Sequence, residues 1–235
     1  MSSETVRPQI SENLASVRAR IAESCARCGR KPEEVQLVAV VKYAEIEWIR
    51  ELVALGVTTL AENRPQQLVE RVPLFPEAVQ WHMIGHLQTN KVRRVLPLVK
   101  LIHAVDSVKL LSSIERIAGE EDLSPEVLLE INVSRETSKQ GFSPEELRNG
   151  WDEIGGMLER TTVRGLMTMA PLSENPEDAR QTFAGLRNLR DELQQRGKAG
   201  KNLRELSMGM TGDFEVAIEE GATFVRIGSA LFEGL

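Results

Sequence analysis

No apolar run in this 235-residue chain approaches the length of a membrane span. The opening residues, MSSETVRPQISENL, lack the apolar segment of a secretory signal. A cytoplasmic protein is expected. There is no block of basic residues, and the formal net charge is -6. That balance argues against nucleic acid or an anionic membrane as the main partner. Cysteine is scarce: Cys25 and Cys28, in SCARCGR, are the only two. A C-x-x-C pair can belong to redox chemistry or to half of a zinc site. No second pair exists to complete such a site, and the three histidines lie far away in sequence. Two semi-buried free thiols on one helical face, in a reducing compartment, is the reading, and no metal is expected. The glycine fingerprint G-x-G-x-x-G is missing from the first strand-to-helix turn, which speaks against an open dinucleotide-binding sheet. Linkers, low-complexity segments and short repeats are also missing, so one domain over residues 1–235 is expected.

What is present is a rhythm. Apolar residues recur at helical spacing in Ile10, Leu14, Val17, Ile21 and Cys25, and Gly29 is a natural stop. This predicts one long N-terminal helix. Strand-like and helix-like segments then alternate. The strand candidates are VQLVAVVK, VTTLAEN, VQWHMIG, KLIHAVD, PEVLLEINV, VRGLMTMA, RELSMGM and TFVRIGSALF. Between them lie amphipathic stretches such as EIEWIRELVALG, SVKLLSSIERIAGE and SPEELRNGWDEIGGML. The most polar connection, SRETSKQGFSPEE, is expected at the surface. Near-continuous apolar strands suit a sheet covered on both faces, and strict alternation predicts parallel pairing. Eight units in a chain of this size predict a single (β/α)₈ TIM barrel with an extra N-terminal helix; an open doubly wound sheet is the runner-up.

In such a barrel, chemistry sits at the C-terminal ends of the strands. Lys42 ends the first apolar run, LVAVVK. An ordinary lysine titrates near pH 10.4 and is not nucleophilic at neutrality. Apolar surroundings favour the neutral amine, which can attack an aldehyde to form a Schiff base. The structural alternative is a lysine that snorkels to solvent from a strand end. Tyr43, the only tyrosine, follows directly, and alternation along a strand turns it to the opposite face.

The C-terminal segment adds two loops rich in small residues, each opening onto a helix start. One is Ser207-Met208-Gly209-Met210-Thr211-Gly212-Asp213, and the other is Gly228-Ser229. Glycine permits close approach, exposed N–H groups bind anions, and Ser207, Thr211 and Ser229 add hydroxyl donors. The loops follow the seventh and eighth strands, where barrels of this type place phosphate. Ordinary turns with Thr211 or Asp213 as a helix N-cap are the alternative. Arg226 interrupts TFVRIG and needs an acceptor, either a neighbouring carboxylate or a ring nitrogen of a bound cofactor. His82 faces inward only if Trp81 and Met83 face the helices, and it is read first as a satisfied core histidine. An aldehyde, a phosphate and a heteroaromatic nitrogen together describe pyridoxal 5′-phosphate.

Over nearly its whole length the chain resembles the pyridoxal phosphate homeostasis proteins, single-domain barrel relatives of bacterial alanine racemase. The segments that carry the resemblance include LVAVVK, WHMIGHLQTNK, HAVDS, INVSRETSKQGF, RGLMTMAP and, most specifically, LSMGMTGDFEVAIEEGATFVRIGSALF. The resemblance implies that Lys42 holds pyridoxal 5′-phosphate covalently. It implies that Ser207, the backbone near Met210, Gly228 and Ser229 hold the phosphate, that Arg226 faces the pyridine nitrogen, and that Asn63, His82 and Met167 surround the ring. The chain departs from the family pattern at Val41, Tyr43 and Arg64, which alter the rim of the site.

The implied role is to bind the cofactor, restrain its aldehyde and supply it to apo-enzymes; because the barrel covers its own core, a monomer is expected. An arginine at the pyridine nitrogen opposes protonation there and makes the ring a poorer electron sink. Racemisation needs a proton donor or acceptor on each face of the substrate. The resembled racemases take the second, a tyrosine, from an extra C-terminal β-domain; the only tyrosine here is Tyr43. A weak amino-acid racemase is the alternative, and a cofactor-free Schiff-base aldolase is a third class.

Overall fold

The computed structural model describes residues 3–136 and 140–235, so residues 137–139 of the polar SRETSKQGFSPEE loop lie outside the described residues. The N-terminal helix α1 spans Ser3–Arg27. Ile10, Leu14, Val17, Ile21 and Cys25 are all buried, so the apolar stripe read from the sequence is the face that packs. Cys25 is buried and Cys28 half-buried, both as free thiols.

Eight strands follow. They are β1 (Gln36–Val40), β2 (Thr59–Glu62), β3 (Gln80–Met83), β4 (Leu101–Val105), β5 (Glu126–Glu130), β6 (Thr162–Met167), β7 (Glu205–Ser207) and β8 (Phe224–Ile227). The connecting helices are α2 (Ile46–Ala54), α3 (Pro65–Arg71), α4 (Val92–Val95), α5 (Val108–Glu120), α6 (Pro144–Met157), α7 (Arg180–Gln194), α8 (Gly197–Gly200) and α9 (Phe214–Glu219). Each strand pairs in parallel with the next, and β8 pairs with β1, which closes the barrel. The chain forms the α/β barrel that alternation predicted, with α1 packed outside against α2 and α9. No helix among the described residues is long and apolar enough to cross a membrane.

Local signals set the helix starts. Ser143 Oγ accepts from Glu146 N at 3.1 Å, and the Glu146 carboxylate accepts from Ser143 N at 2.8 Å. This capping box satisfies two donors that the first turn of α6 would leave unpaired. Ser107 Oγ caps α5 through Leu110 N at 3.3 Å.

The core divides in two. Between barrel and helices lie Trp81, Met83, Ile102, Leu129, Phe183 and Leu186. Phe183 is fully buried there, and truncating such a ring to alanine costs about 3–5 kcal/mol. Inside the barrel lie Val38, Ala61, Leu101, Ala104, Leu128, Met167 and Phe224. Strand alternation explains most of this partition. In β4 the pairing register against β5 shifts between Ile102 and Val105. The irregularity turns two successive residues, His103 and Ala104, to the inner side, as an extra residue in a strand does.

Candidate functional site

A cavity of about 910 Å³ opens at the C-terminal ends of the strands. Its lining draws on residues at or just beyond six strand ends: Val40, Asn63, Ile84, Glu130, Met167 and Gly228. The remaining expectations sort clearly around it. Lys42, Asn63, Met167, Met210, Arg226, Gly228 and Ser229 all line this one cavity. His82 and Ser207 do not. Both are buried, and they lie beneath the floor in a hydrogen-bonded chain. Trp81 and Met83 face the helices, so His82 is the inward core histidine that the alternation allowed.

Lys42 is half-buried at the mouth. The first strand ends at Val40, and Lys42 lies in the turn beyond it. Strand alternation therefore does not reach Tyr43. Contrary to the expectation that it faces away, Tyr43 also lines the cavity, with its ring centroid 5.0 Å from Lys42 Nζ. Trp48 and Phe232 stack at the same mouth, centroids 5.9 Å apart.

Arg226 is buried on β8 and faces the cavity. One terminal nitrogen donates to Ser207 Oγ at 2.6 Å and the other to the Thr168 carbonyl at 3.0 Å. Neither acceptor is charged, and among the described residues no carboxylate forms an ion pair with Arg226. Burial draws its pKa down to about 10, which leaves it a cation at neutrality, while Asp213 and Glu130 pull the other way. A buried cation paired only to neutral dipoles is costly. The structural alternative of a carboxylate partner on a neighbouring strand is not what the fold supplies.

The two small-residue loops meet. Ser229 Oγ lies 3.1 Å from Thr211 Oγ1, and both residues line the cavity. Asp213 sits at the first position before α9, but its carboxylate turns back to accept from Met210 N at 2.6 Å. Burial pushes the Asp213 carboxyl up, and that hydrogen bond brings it part of the way back. The Met210 N–H is thus already used, while among the described residues the N–H groups of Thr211 and Gly212 have no backbone partner. Gly209 makes the turn possible, with φ at +90° and an added Cβ only 2.6 Å from the Ala217 methyl.

Asn63 Oδ1 is buried with no hydrogen-bond partner among the described residues, although its side chain lines the cavity. Such a group normally has a partner. Opposite packing is tight: a Cβ on Gly85 would lie 2.2 Å from the Asn63 carbonyl oxygen, so only glycine fits.

Glu130 escaped the sequence reading. It ends the apolar strand EVLLE, is buried, and lines the cavity. Burial pushes its carboxyl up, Asp106 adds to this, and Arg226 and His86 oppose it. The signal that could have found it is the one that found Lys42 and Arg226, a charged residue closing or breaking an apolar run at a strand's C-terminal end. His86, also in the lining, pairs with Asp106 at 2.8 Å. Nothing in its local sequence marks it.

A closed parallel barrel with a lysine, a buried arginine and paired hydroxyl loops at one mouth defines a class. Residues 12–235 match the family described as alanine racemase, N-terminal domain. At finer grain, a pyridoxal phosphate homeostasis protein of Aquifex aeolicus is 43% identical over 222 residues, which cover 94% of this chain and 96% of that one. The structure of PipY from Synechococcus elongatus, solved with pyridoxal phosphate bound, superposes with a TM-score of 0.81 at 36% identity, covering 95% of this chain and 99% of that one. A structure described as an unknown protein from Bifidobacterium adolescentis gives a TM-score of 0.91 at 35% identity, over 99% of this chain and 98% of that one. The chain belongs to the pyridoxal phosphate homeostasis protein family.

Proposed function

We propose that the cavity holds pyridoxal 5′-phosphate, joined to Lys42 as a Schiff base, and that the protein carries the cofactor for cytoplasmic apo-enzymes rather than turning over a substrate of its own. The observation that carries this reading is Arg226. Its buried guanidinium has only neutral hydrogen-bond partners among the described residues, its remaining N–H donors have none, and the residue lines the cavity. A ring nitrogen with a lone pair suits that donor. The other fittings support the same group. Lys42 supplies the amine, and Thr211, Ser229 and the free N–H groups of Thr211 and Gly212 supply donors for a phosphate. Asn63 Oδ1 supplies a buried acceptor without a partner.

The cofactor, when bound, supplies an aldehyde and an electron-accepting ring. A cation at the ring nitrogen opposes protonation there and so weakens the ring as an electron sink. Arg226 therefore favours storage over carbanion chemistry. Tyr43 keeps the racemase alternative in view, since it lines the cavity. It lies beside Lys42, however, and two-base racemisation needs groups on opposite faces of the substrate.

Transfer decides between the readings. Holoprotein mixed with a pyridoxal phosphate-dependent apo-enzyme should activate it faster than the cofactor leaves into buffer alone. Equal rates would remove the carrier role. Deuterium entering the α-carbon of alanine at an enzyme-like rate would establish the racemase instead.

A further inference from the structure

Beneath the cavity floor, four side chains from four strands form a continuous hydrogen-bonded line. Arg226 donates to Ser207 Oγ at 2.6 Å. Ser207 Oγ lies 2.8 Å from His103 Nδ1. His103 Nε2 lies 3.0 Å from His82 Nδ1. All four residues are buried inside the barrel. Phe224 packs against both imidazoles, with centroids at 5.9 and 5.6 Å.

The chemistry of the groups gives this line a direction. Arginine can only donate. Ser207 accepts from it, and so has its single hydrogen to give elsewhere. Among the described residues the acceptor in reach is His103 Nδ1. That leaves His103 protonated on Nε2, which donates to His82 Nδ1, and His82 in turn carries its hydrogen on Nε2. This direction leaves one group, the His82 Nε2–H, without a partner among the described residues, whereas the opposite polarity would leave two, the Ser207 hydrogen and the His82 Nε2 lone pair, at greater cost in a dry interior. Burial keeps both imidazoles neutral: it holds His82 at about 4 and His103 well below its usual range.

We infer that Ser207 and His103 are positioning residues for Arg226, with His82 setting the tautomer of His103. Together they hold the guanidinium at the cavity without a direct ion pair, so that Asp213 and Glu130 offset its charge only without contact. An arginine side chain has about 2 kcal/mol of rotamer entropy to lose. Fixed neutral acceptors remove that freedom before a ligand arrives. A carboxylate would fix the side chain equally well, but it would cancel the charge that opposes ring protonation. The inference rests on the reading that the cavity holds pyridoxal 5′-phosphate. It assigns Ser207 to the arginine rather than to the phosphate.

The test has two arms. In the unliganded protein, long-range ¹H–¹⁵N spectra of the histidines should show both His103 and His82 protonated on Nε2 and not on Nδ1. A His103 carrying its hydrogen on Nδ1 would overturn the line. In the second arm, pyridoxal 5′-phosphate and pyridoxal are each titrated into Ser207→Ala, His103→Leu and His103→Asn. Ser207→Ala and His103→Leu should weaken both ligands by the same factor, about ten-fold, and shift the visible absorption maximum. His103→Asn keeps an oxygen acceptor near Nδ1 and should recover binding to within about three-fold. If His103→Leu does not fold, Ser207→Ala carries this arm. A loss confined to the phosphorylated ligand would make Ser207 a phosphate ligand and sink the proposal, and so would unchanged binding and spectra. A wild-type protein that gains no visible band would instead end the cofactor reading, with the spectra of the unliganded protein still deciding the line.

Discussion

Arg71 and Glu62 form an ion pair at 2.8 Å on the outer side of the turn that carries Lys42. The same guanidinium donates to the carbonyls of Val41 at 2.6 Å and Ala44 at 3.0 Å, on either side of the lysine. Glu62 is fully buried and also accepts from the N–H of Asn63 at 2.8 Å. This pair, its carboxylate fully buried and its guanidinium half-buried, ties the Lys42 turn of the first strand to the Asn63 turn of the second. Removing one partner of such a pair strands the other charge, which typically costs about 3–5 kcal/mol. Arg71→Met should lose stability of that size in urea unfolding. A loss below about 1 kcal/mol would mean that the pair is effectively solvated.

Lys42→Ala should abolish the visible absorption that wild-type protein acquires with pyridoxal 5′-phosphate, because no amine remains at that place in the mouth. Borohydride reduction followed by peptide mapping of the wild-type protein should place the label on the peptide containing Lys42. A label mainly on another lysine would contradict the assignment, and a colourless wild-type protein would leave the aldolase class as the better reading.

Acid should weaken the fold before most carboxylates titrate. His82 is held at about 4 by burial, against about 6.5 in an unfolded chain. As pH falls through 6.5 the unfolded chain takes up a proton that the folded protein refuses until about 4. Stability is therefore full above that window and declines across it, by on the order of 3 kcal/mol from His82 alone. His103 acts with the same sign. Glu130 acts with the opposite sign, since its raised pKa lets the folded state bind a proton first. Urea midpoints measured from neutrality down to about pH 5 should fall, and His82→Gln should flatten the slope. A wild-type profile without slope would show that the imidazoles are hydrated.

Gly85→Ala tests the packing behind Asn63. Its Cβ would sit 2.2 Å from a backbone oxygen that cannot swing aside. Overpacking of this kind costs about 1–3 kcal/mol, and the displacement of Asn63 should also weaken cofactor retention. Unchanged thermal stability and retention would show that this loop can yield.

The order of strands and helices, the packed face of α1, and the places of Lys42 just past β1 and of Arg226 within β8 were all legible in the residues. Each depends on spacing along the chain, which periodicity reports directly. Glu130 was legible by the same rule, as an acid ending an apolar strand. Other features were not. That Tyr43 joins Lys42 at the mouth follows from β1 ending at Val40, and strand ends are set by pairing with neighbours rather than by local pattern. That Ser207 faces Arg226 and His103, beneath the cavity rather than in its lining, follows from the barrel closing β8 onto β1 and from the register shift in β4. Which residues are unusual for their surroundings can be read along the chain. Which of them meet depends on how the barrel closes, because the partners of a buried polar group lie on different strands.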